Sequence, residues 1–278
     1  MPNVAEAMLG KHKAVLCKEV VDGLDLRNGE TFVDATYGAG GHSKEVEKEV
    51  PGVKILTIDQ DPSTEASIIG NFRDIDTLLC GVRPDAILLD LGFSSDQLES
   101  VPGLSFLRDE PLDMRLSRTG PTARDILNTF SERALELILR GFGEERYSKA
   151  IAKRIIEMRE ERPFQTTFDL VEAVGGPKGR IHPATRTFQS LRIAVNDELT
   201  ALEEGLAKGF QILKPGGRLG VISFHSLEDR IVKNFFRNKA NEGRVEILTK
   251  KPIVASEEEL KENPRSRSAK LRICKKLN

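Results

Sequence analysis

Five residues, Gly38-Ala39-Gly40-Gly41-His42, join the apolar run Thr31-Phe32-Val33-Asp34-Ala35-Thr36 to a charged stretch of helical character. Glycines admit the left-handed backbone that a tight strand-to-helix turn needs, and they let main chain approach a ligand closely. The first turn of the helix that follows presents unpaired N–H groups. A second apolar run, Ile55-Leu56-Thr57-Ile58, ends at Asp59. Strand, glycine turn, helix, strand and acid in this order form the nucleotide half of a doubly wound α/β fold, with the acid placed for a ribose diol.

Two further apolar runs extend such a sheet. Residues 86–91 are nearly continuous, as in a strand buried on both faces, and residues 218–224 follow the turn Lys214-Pro215-Gly216-Gly217. Segments 244–249 and 269–274 alternate and are expected as an antiparallel edge pair. The stretch between the third and fourth runs is far longer than one crossover helix requires, and it reads as helical. Residues 131–140 have helical spacing, from Ser131 to Gly141. Residues 144–160 set Tyr147, Ile151 and Ile155 on one face against Arg146, Lys149 and Lys153 on another. Residues 184–213 carry the apolar stripe Phe188, Leu191, Val195, Leu199, Leu202, Leu206 and Leu213. The expected architecture is a Rossmann-like α/β domain over 1–107 and 196–278, interrupted by a helical insert over 108–195.

Bulk properties narrow the class. With 39% hydrophobic and 31% charged residues in 278, the chain is an ordinary globular one that buries a core without staples. No run is long and apolar enough for a membrane span and the N-terminus lacks a signal-peptide pattern, so a cytoplasmic protein without a membrane partner is expected. Cys17, Cys80 and Cys274 are widely spaced, and the four histidines do not cluster, so no metal site is expected. A net charge of −1 argues against a generic nucleic-acid binder. The tail from Pro264 to Lys276 is nonetheless basic throughout, with Arg265, Arg267, Lys270, Arg272, Lys275 and Lys276 and no acid.

The glycine turn also discriminates among cofactors. A dinucleotide fingerprint wants a third glycine where Ser43 stands, which disfavours a nicotinamide dehydrogenase. Asp34, four residues before the first glycine, together with the short glycine turn suits S-adenosylmethionine better. Asp90 ends the third run at the rim where open α/β sheets bind ligands. Phe72 either covers a purine face or packs in the core.

Longer stretches of the chain resemble one family. They are His12-Lys13-Ala14-Val15-Leu16, Asp34 to Ser43, Ile58 to Pro62, Leu88 to Ser95 with Gln97, Pro111 to Arg115, and Phe142-Gly143-Glu144-Glu145-Arg146. To these add His182 to Arg192, Ile222 to Arg230 and Asn263 to Arg267. In this order they resemble the ribosomal RNA small-subunit methyltransferase H family, also called MraW, over nearly the whole chain. The resemblance implies a class I S-adenosylmethionine-dependent methyltransferase fold and methylation of the exocyclic N4 of a cytidine in the decoding centre of 16S rRNA. It implies cofactor contacts from Gly40, Gly41, His42, Asp59, Phe72, Asp90 and Gln97, and an insert that helps bind RNA. One departure is the ten residues between Asp61 and Phe72, where the family has a full helix. Another is Leu104, in place of an aromatic.

The cytosine amine is a poor nucleophile because its lone pair is delocalised into the ring, so its methylation is mainly a positioning task. A hydrogen-bond acceptor beside the amine orients the lone pair and drains charge, which is the role expected of Asp90. Phe224 is expected to stack on the base and His225 to hydrogen-bond it or take up the released proton; packing at a strand end is the plainer reading of both. Arg186 and Arg192, on one helix with His182 and Asn196, are expected to meet phosphates with Arg115, Arg180, Arg265 and Arg267. The expected partner is 16S rRNA in an assembled or partly assembled small subunit, and a homodimer is compatible with the sequence. Two alternatives remain open: a methyltransferase on another nucleic-acid amine, and a non-catalytic RNA-binding assembly factor. The first lacks its usual Pro-Pro-aromatic motif, since the chain reads Asp90-Leu91-Gly92-Phe93 there.

Overall fold

The computed structural model describes residues 14–92, 100–117, 119–175 and 182–278. In chain order the elements are α1 (Cys17–Leu24), β1 (Thr31–Asp34), α2 (Gly41–Glu49), β2 (Lys54–Asp59), β3 (Ile68–Ile69), α3 (Ile75–Leu78) and β4 (Ala86–Asp90). There follow α4 (Ala123–Thr129), α5 (Glu132–Gly143), α6 (Ser148–Glu161), α7 (Thr167–Val174), α8 (Ala184–Asn196) and α9 (Glu198–Ile212). The chain then forms β5 (Arg218–Ser223), α10 (Ser226–Asn241), β6 (Val245–Ile247), α11 (Glu257–Glu262) and β7 (Lys270–Lys276).

The strands form one seven-stranded sheet in the order β3-β2-β1-β4-β5-β7-β6. From β1 to β5 neighbouring strands are parallel, while β7 is antiparallel to both β5 and β6. Strand geometry sends successive side chains to opposite faces, and the core divides accordingly. Val33, Ile87, Leu89 and Val221 pack with Leu202, Leu206 and Phe210 of α9 and Val232 and Phe236 of α10. Phe32, Leu88, Ile222 and Ile273 pack with Val20 and Leu24 of α1 and Val46 of α2. This is the Rossmann-like α/β class read from the sequence.

The chain falls into two compact units, residues 1–95 with 199–278, and residues 96–198. The second begins earlier than the expected 108, because Leu104 and Phe106 pack on the helical core and Gly103 N–H donates to Glu110 Oε2 (3.2 Å). That core gathers Leu112, Met114, Ile126, Leu139, Ile155, Phe164, Leu170 and Phe188.

The stripe over 184–213 is not one helix. Asp197 takes a left-handed conformation (φ 50°) and ends α8. Phe188 and Leu191 then bury in the helical core, whereas Leu202, Leu206 and Leu213 bury against the sheet. The helix expected from 144 starts only at Ser148, so Tyr147 precedes it and is 64% exposed rather than on a buried face.

The basic tail is likewise more than a solvated charge run. Arg272 is buried in β7 and paired with Asp229 (2.7 and 3.2 Å). Lys276 is buried too, its ammonium donating to the carbonyls of Phe210 (2.9 Å), Gln211 (3.2 Å) and Leu213 (2.7 Å). The last turn of α9 has no intrahelical donors for these oxygens, and a cation there also opposes the helix dipole. Strand β7 therefore carries Arg272 and Lys276 inward, one as an ion pair and one as a helix cap. The alternating segment 269–274 pairs with β6 as expected, but it also pairs with β5, so only β6 is the edge.

Candidate active site

Three acids sit at the carboxyl ends of adjacent strands: Asp34 on β1, Asp59 on β2 and Asp90 on β4. Asp34 is buried, where its carboxylate accepts the Ser43 hydroxyl (2.7 Å) and the Thr36 N–H (3.4 Å). Burial pushes its pKa above the ordinary carboxylate value, against the pull of nearby His42 and the Ser43 hydrogen bond. Its observed work is to tie β1 to the start of α2.

Asp59 closes the glycine turn from the other side. Its Oδ2 accepts Gly38 N–H (2.7 Å) and its Oδ1 accepts Asp61 N–H (2.9 Å). It too is raised by burial, with the Asp61 and Gly38 N–H groups acting in the opposite direction. A carboxylate offers about four lone-pair sites, so a ribose diol still finds acceptors on it. The turn itself is glycine partly for internal reasons. At Gly40 (φ 74°) a Cβ would lie 2.6 Å from the Tyr37 ring, and at Gly41 it would lie 2.6 Å from Ala14 Cβ.

Asp90 is held from several directions. Its backbone N–H donates to Thr36 Oγ1 (2.6 Å), its Oδ1 accepts Gly92 N–H (3.1 Å), and its Oδ2 lies 3.6 Å from His42 Nδ1. The other ring nitrogen of His42, Nε2, is 2.8 Å from the Val15 carbonyl. That carbonyl is presented by Leu16, a buried residue in the left-handed region (φ 54°), whose N–H donates to Glu259 Oε1 (2.8 Å). Non-glycine residues adopt this conformation only where their surroundings impose it. Thr36, Val15, Leu16 and Glu259 thus belong to the site's framework and were not singled out from their types. Val15, Leu16 and Thr36 lie in stretches that carry the family resemblance; Glu259 does not.

Phe224, after β5, places its ring beside Gly92, where a Cβ would come within 2.7 Å of it. The structure therefore brings Phe224 and Asp90 together. His225 caps α10, its Nδ1 accepting Glu228 N–H (3.4 Å), while the Glu228 carboxylate accepts the N–H groups of Phe224 (2.8 Å) and His225 (3.2 Å). This is a capping box. His225 Nε2 lies 3.0 Å from Glu228 Oε1 but out of line, so this buried nitrogen has no hydrogen-bond partner among the described residues. Phe72 rests on α9, within 2.5 Å of where a Gly205 Cβ would stand, so at least part of its ring serves the core. It follows the two-residue β3, and among the described residues no helix lies between β2 and β3. Gln97 and Arg180 lie outside the described residues.

The arginines expected at phosphates divide. Arg192 holds Glu198 through two hydrogen bonds (2.8 and 2.9 Å), a half-buried bidentate pair. Arg115 does the same with Asp113 (2.7 and 2.9 Å) and donates to the Gly120 carbonyl (3.2 Å), and its charge lowers the pKa of Asp113. For both, the partner observed in this structure is a carboxylate of the same unit. Arg186 and Arg267 are exposed and Arg265 half-buried. Asn196 is structural as well, bonding Leu116 N–H and the Met114 carbonyl (both 2.9 Å) and fixing Met114 at φ 64°.

Residues 10–277 match the model of the MraW methylase family. The chain belongs to that family. The ribosomal RNA small subunit methyltransferase H of Persephonella marina is 43% identical, over 96% of this chain and 99% of that protein. The protein of the same name from Caulobacter vibrioides is 45% identical over 95% and 94%. Among solved structures, NSun6 from Pyrococcus horikoshii aligns with this MraW-family chain at 11% identity and TM-score 0.44, over 95% of this chain and 53% of that one. No helix among the described residues is long and apolar enough to cross a membrane.

Proposed function

We propose that this chain transfers the methyl group of S-adenosylmethionine to the exocyclic N4 of a cytidine in the decoding centre of 16S rRNA. Its substrate is the rRNA in an assembled or partly assembled small subunit in the cytoplasm. The observation that carries the reading is the placement of Asp59 and Asp90 on either side of one glycine turn, the first with acceptors for a diol and the second rigidly held at the rim. The names borne by the full-length relatives support an rRNA substrate.

The residues present fit the cofactor: Asp59 would hold the ribose hydroxyls, with Gly40, Gly41 and His42 forming the wall of the turn. S-Adenosylmethionine, when bound, supplies an electrophilic methyl group on a positively charged sulfur. The chain's own contribution is placement. Asp90, fixed by Thr36 and Gly92, accepts a hydrogen bond from the amine, aims its lone pair and takes up developing charge. The Phe224 ring beside Gly92 offers a surface on which an unstacked base rests. His225 uses Nδ1 as an acceptor in its helix cap, so the proton of the neutral ring sits on Nε2. With Nε2 buried beside Glu228 Oε1 (3.0 Å), its proposed part is to hold the segment that carries Phe224.

Nucleoside mass spectrometry of small-subunit rRNA from cells with and without the gene tests the assignment. Loss of N4-methylated cytidine is expected on deletion, and an unchanged level refutes it.

A further inference from the structure

Within the stretch Phe142-Gly143-Glu144-Glu145-Arg146, three residues shape the turn between α5 and α6. Gly143 ends α5 against α8, so closely that a Cβ would stand 2.7 Å from the Arg186 carbonyl and 3.2 Å from Ser190 Cβ. Glu144 turns the chain left-handed (φ 47°), and its carbonyl accepts Arg186 Nη1 (3.1 Å). Glu145 is buried, and its Oε1 accepts Tyr147 N–H (2.8 Å). The turn is thereby pinned at both ends, and its outward residues are Arg146 and Tyr147.

Among the described residues Tyr147 is the most exposed of the large hydrophobic side chains, at 64%. Arg146 and Lys149 flank it in the chain, and Arg186 reaches the same turn through the Glu144 carbonyl; all three are exposed. Among the described residues no carboxylate pairs with Arg146 or Lys149, and Arg186 donates to a backbone carbonyl. Lys149 occupies the first turn of α6, which has no acid there, so it adds to the positive end of the helix instead of offsetting it. The only exposed acid between 144 and 149 is Glu144. An exposed aromatic ring on a turn that also carries exposed cations without carboxylate partners is the arrangement that stacks a base and neutralises its flanking phosphates.

We propose that the α5–α6 turn is an RNA-contact surface, with Tyr147 stacking an unpaired base of the small-subunit rRNA and Arg146, Lys149 and Arg186 meeting its phosphates. It deepens the rRNA reading above by naming a second place where that RNA is held.

The test is binding of the full chain to naked 16S rRNA and to intact small subunits over a salt series, with methyl incorporation by the parent protein measured in parallel. Tyr147→Ala is expected to weaken binding to naked rRNA roughly tenfold, with Tyr147→Phe near the parent. Arg146→Ala and Lys149→Ala are each expected to lower the salt slope by about one. Unchanged affinity for Tyr147→Ala overturns the proposal. So does a loss seen only with intact subunits at an unaltered salt slope, which points to a protein partner. If the parent methylates no rRNA, the functional reading fails instead, and the binding series still reports on Tyr147.

Discussion

His42 Nδ1 stands 3.6 Å from Asp90 Oδ2 while His42 Nε2 reaches the Val15 carbonyl at 2.8 Å. A carbonyl only accepts, so Nε2 carries hydrogen, and a proton on either the ring or the carboxyl makes the second contact attractive. His42 is thus a strut between the segment before α1 and the acid of β4. Replacing it by leucine is expected to slow single-turnover methyl transfer on the order of 10- to 100-fold by misplacing Asp90. His42→Asn, whose amide takes the place of Nδ1, should recover most of that loss in a rapid-quench experiment. A leucine variant changed only in cofactor affinity would show that the histidine is a ligand and not a support.

Asp59 must be ionised to accept both hydroxyls of a diol, and burial raises its pKa above 3.8. As pH falls through that raised value the carboxylate takes a proton, so cofactor affinity should decline at a higher pH than for an ordinary aspartate. Calorimetric titration of S-adenosylmethionine from neutral to mildly acid pH checks this, and Asp59→Asn should flatten the profile at weak affinity. The same sign governs the unliganded fold. The native state binds more protons than the unfolded one between 3.8 and the raised values of Asp34 and Asp59, so their contribution to stability falls as pH rises through that window.

Gly143→Ala introduces a methyl group against the backbone of α8, which has little room to yield. Overpacking of this kind costs about 1 to 3 kcal/mol, read as a lowered midpoint in urea unfolding. Gly141→Ala, where an added Cβ meets nothing, should be neutral or mildly stabilising.

Lys276→Met removes an ammonium that serves three carbonyls at the end of α9. Leaving buried acceptors unpaired costs about 1 to 3 kcal/mol, so the variant should unfold at lower denaturant concentration. Affinity for RNA should be unaltered, because the group faces inward.

Arg192→Ala breaks the bidentate pair with Glu198. The expected result is lower thermal stability with an unchanged salt slope for RNA binding. Arg186→Ala should behave in the opposite way, shallow in salt and normal in stability.

The parallel strands β1, β2, β4 and β5 were legible because they follow apolar runs, and the glycine turn because its residue types are confined to few conformations. What the sequence concealed depends on contacts between distant segments. Tyr147 counted as a core residue while a helix was assumed to begin at 144; the buried Glu145 delays that helix and turns the ring outward. Lys276 and Arg272 read only as part of a basic tail, since nothing in the tail itself announces the open carbonyls of α9 or Asp229. The order of acids at the rim could be read from strand ends. The bracing of Asp90 by Thr36 and His42 could not, because both come from other segments of the chain.

Among the described residues strand β6 pairs only with β7, yet β7 follows it in the chain and lies between it and β5. During synthesis, therefore, β6 emerges with no neighbour to join, and the open flank of β5 waits for a strand made later still. An uncovered flank of this kind is a template for wrong pairings between nascent chains. Tagging, truncation or stalling just ahead of residue 270 should thus harm solubility far more than the few residues involved would suggest.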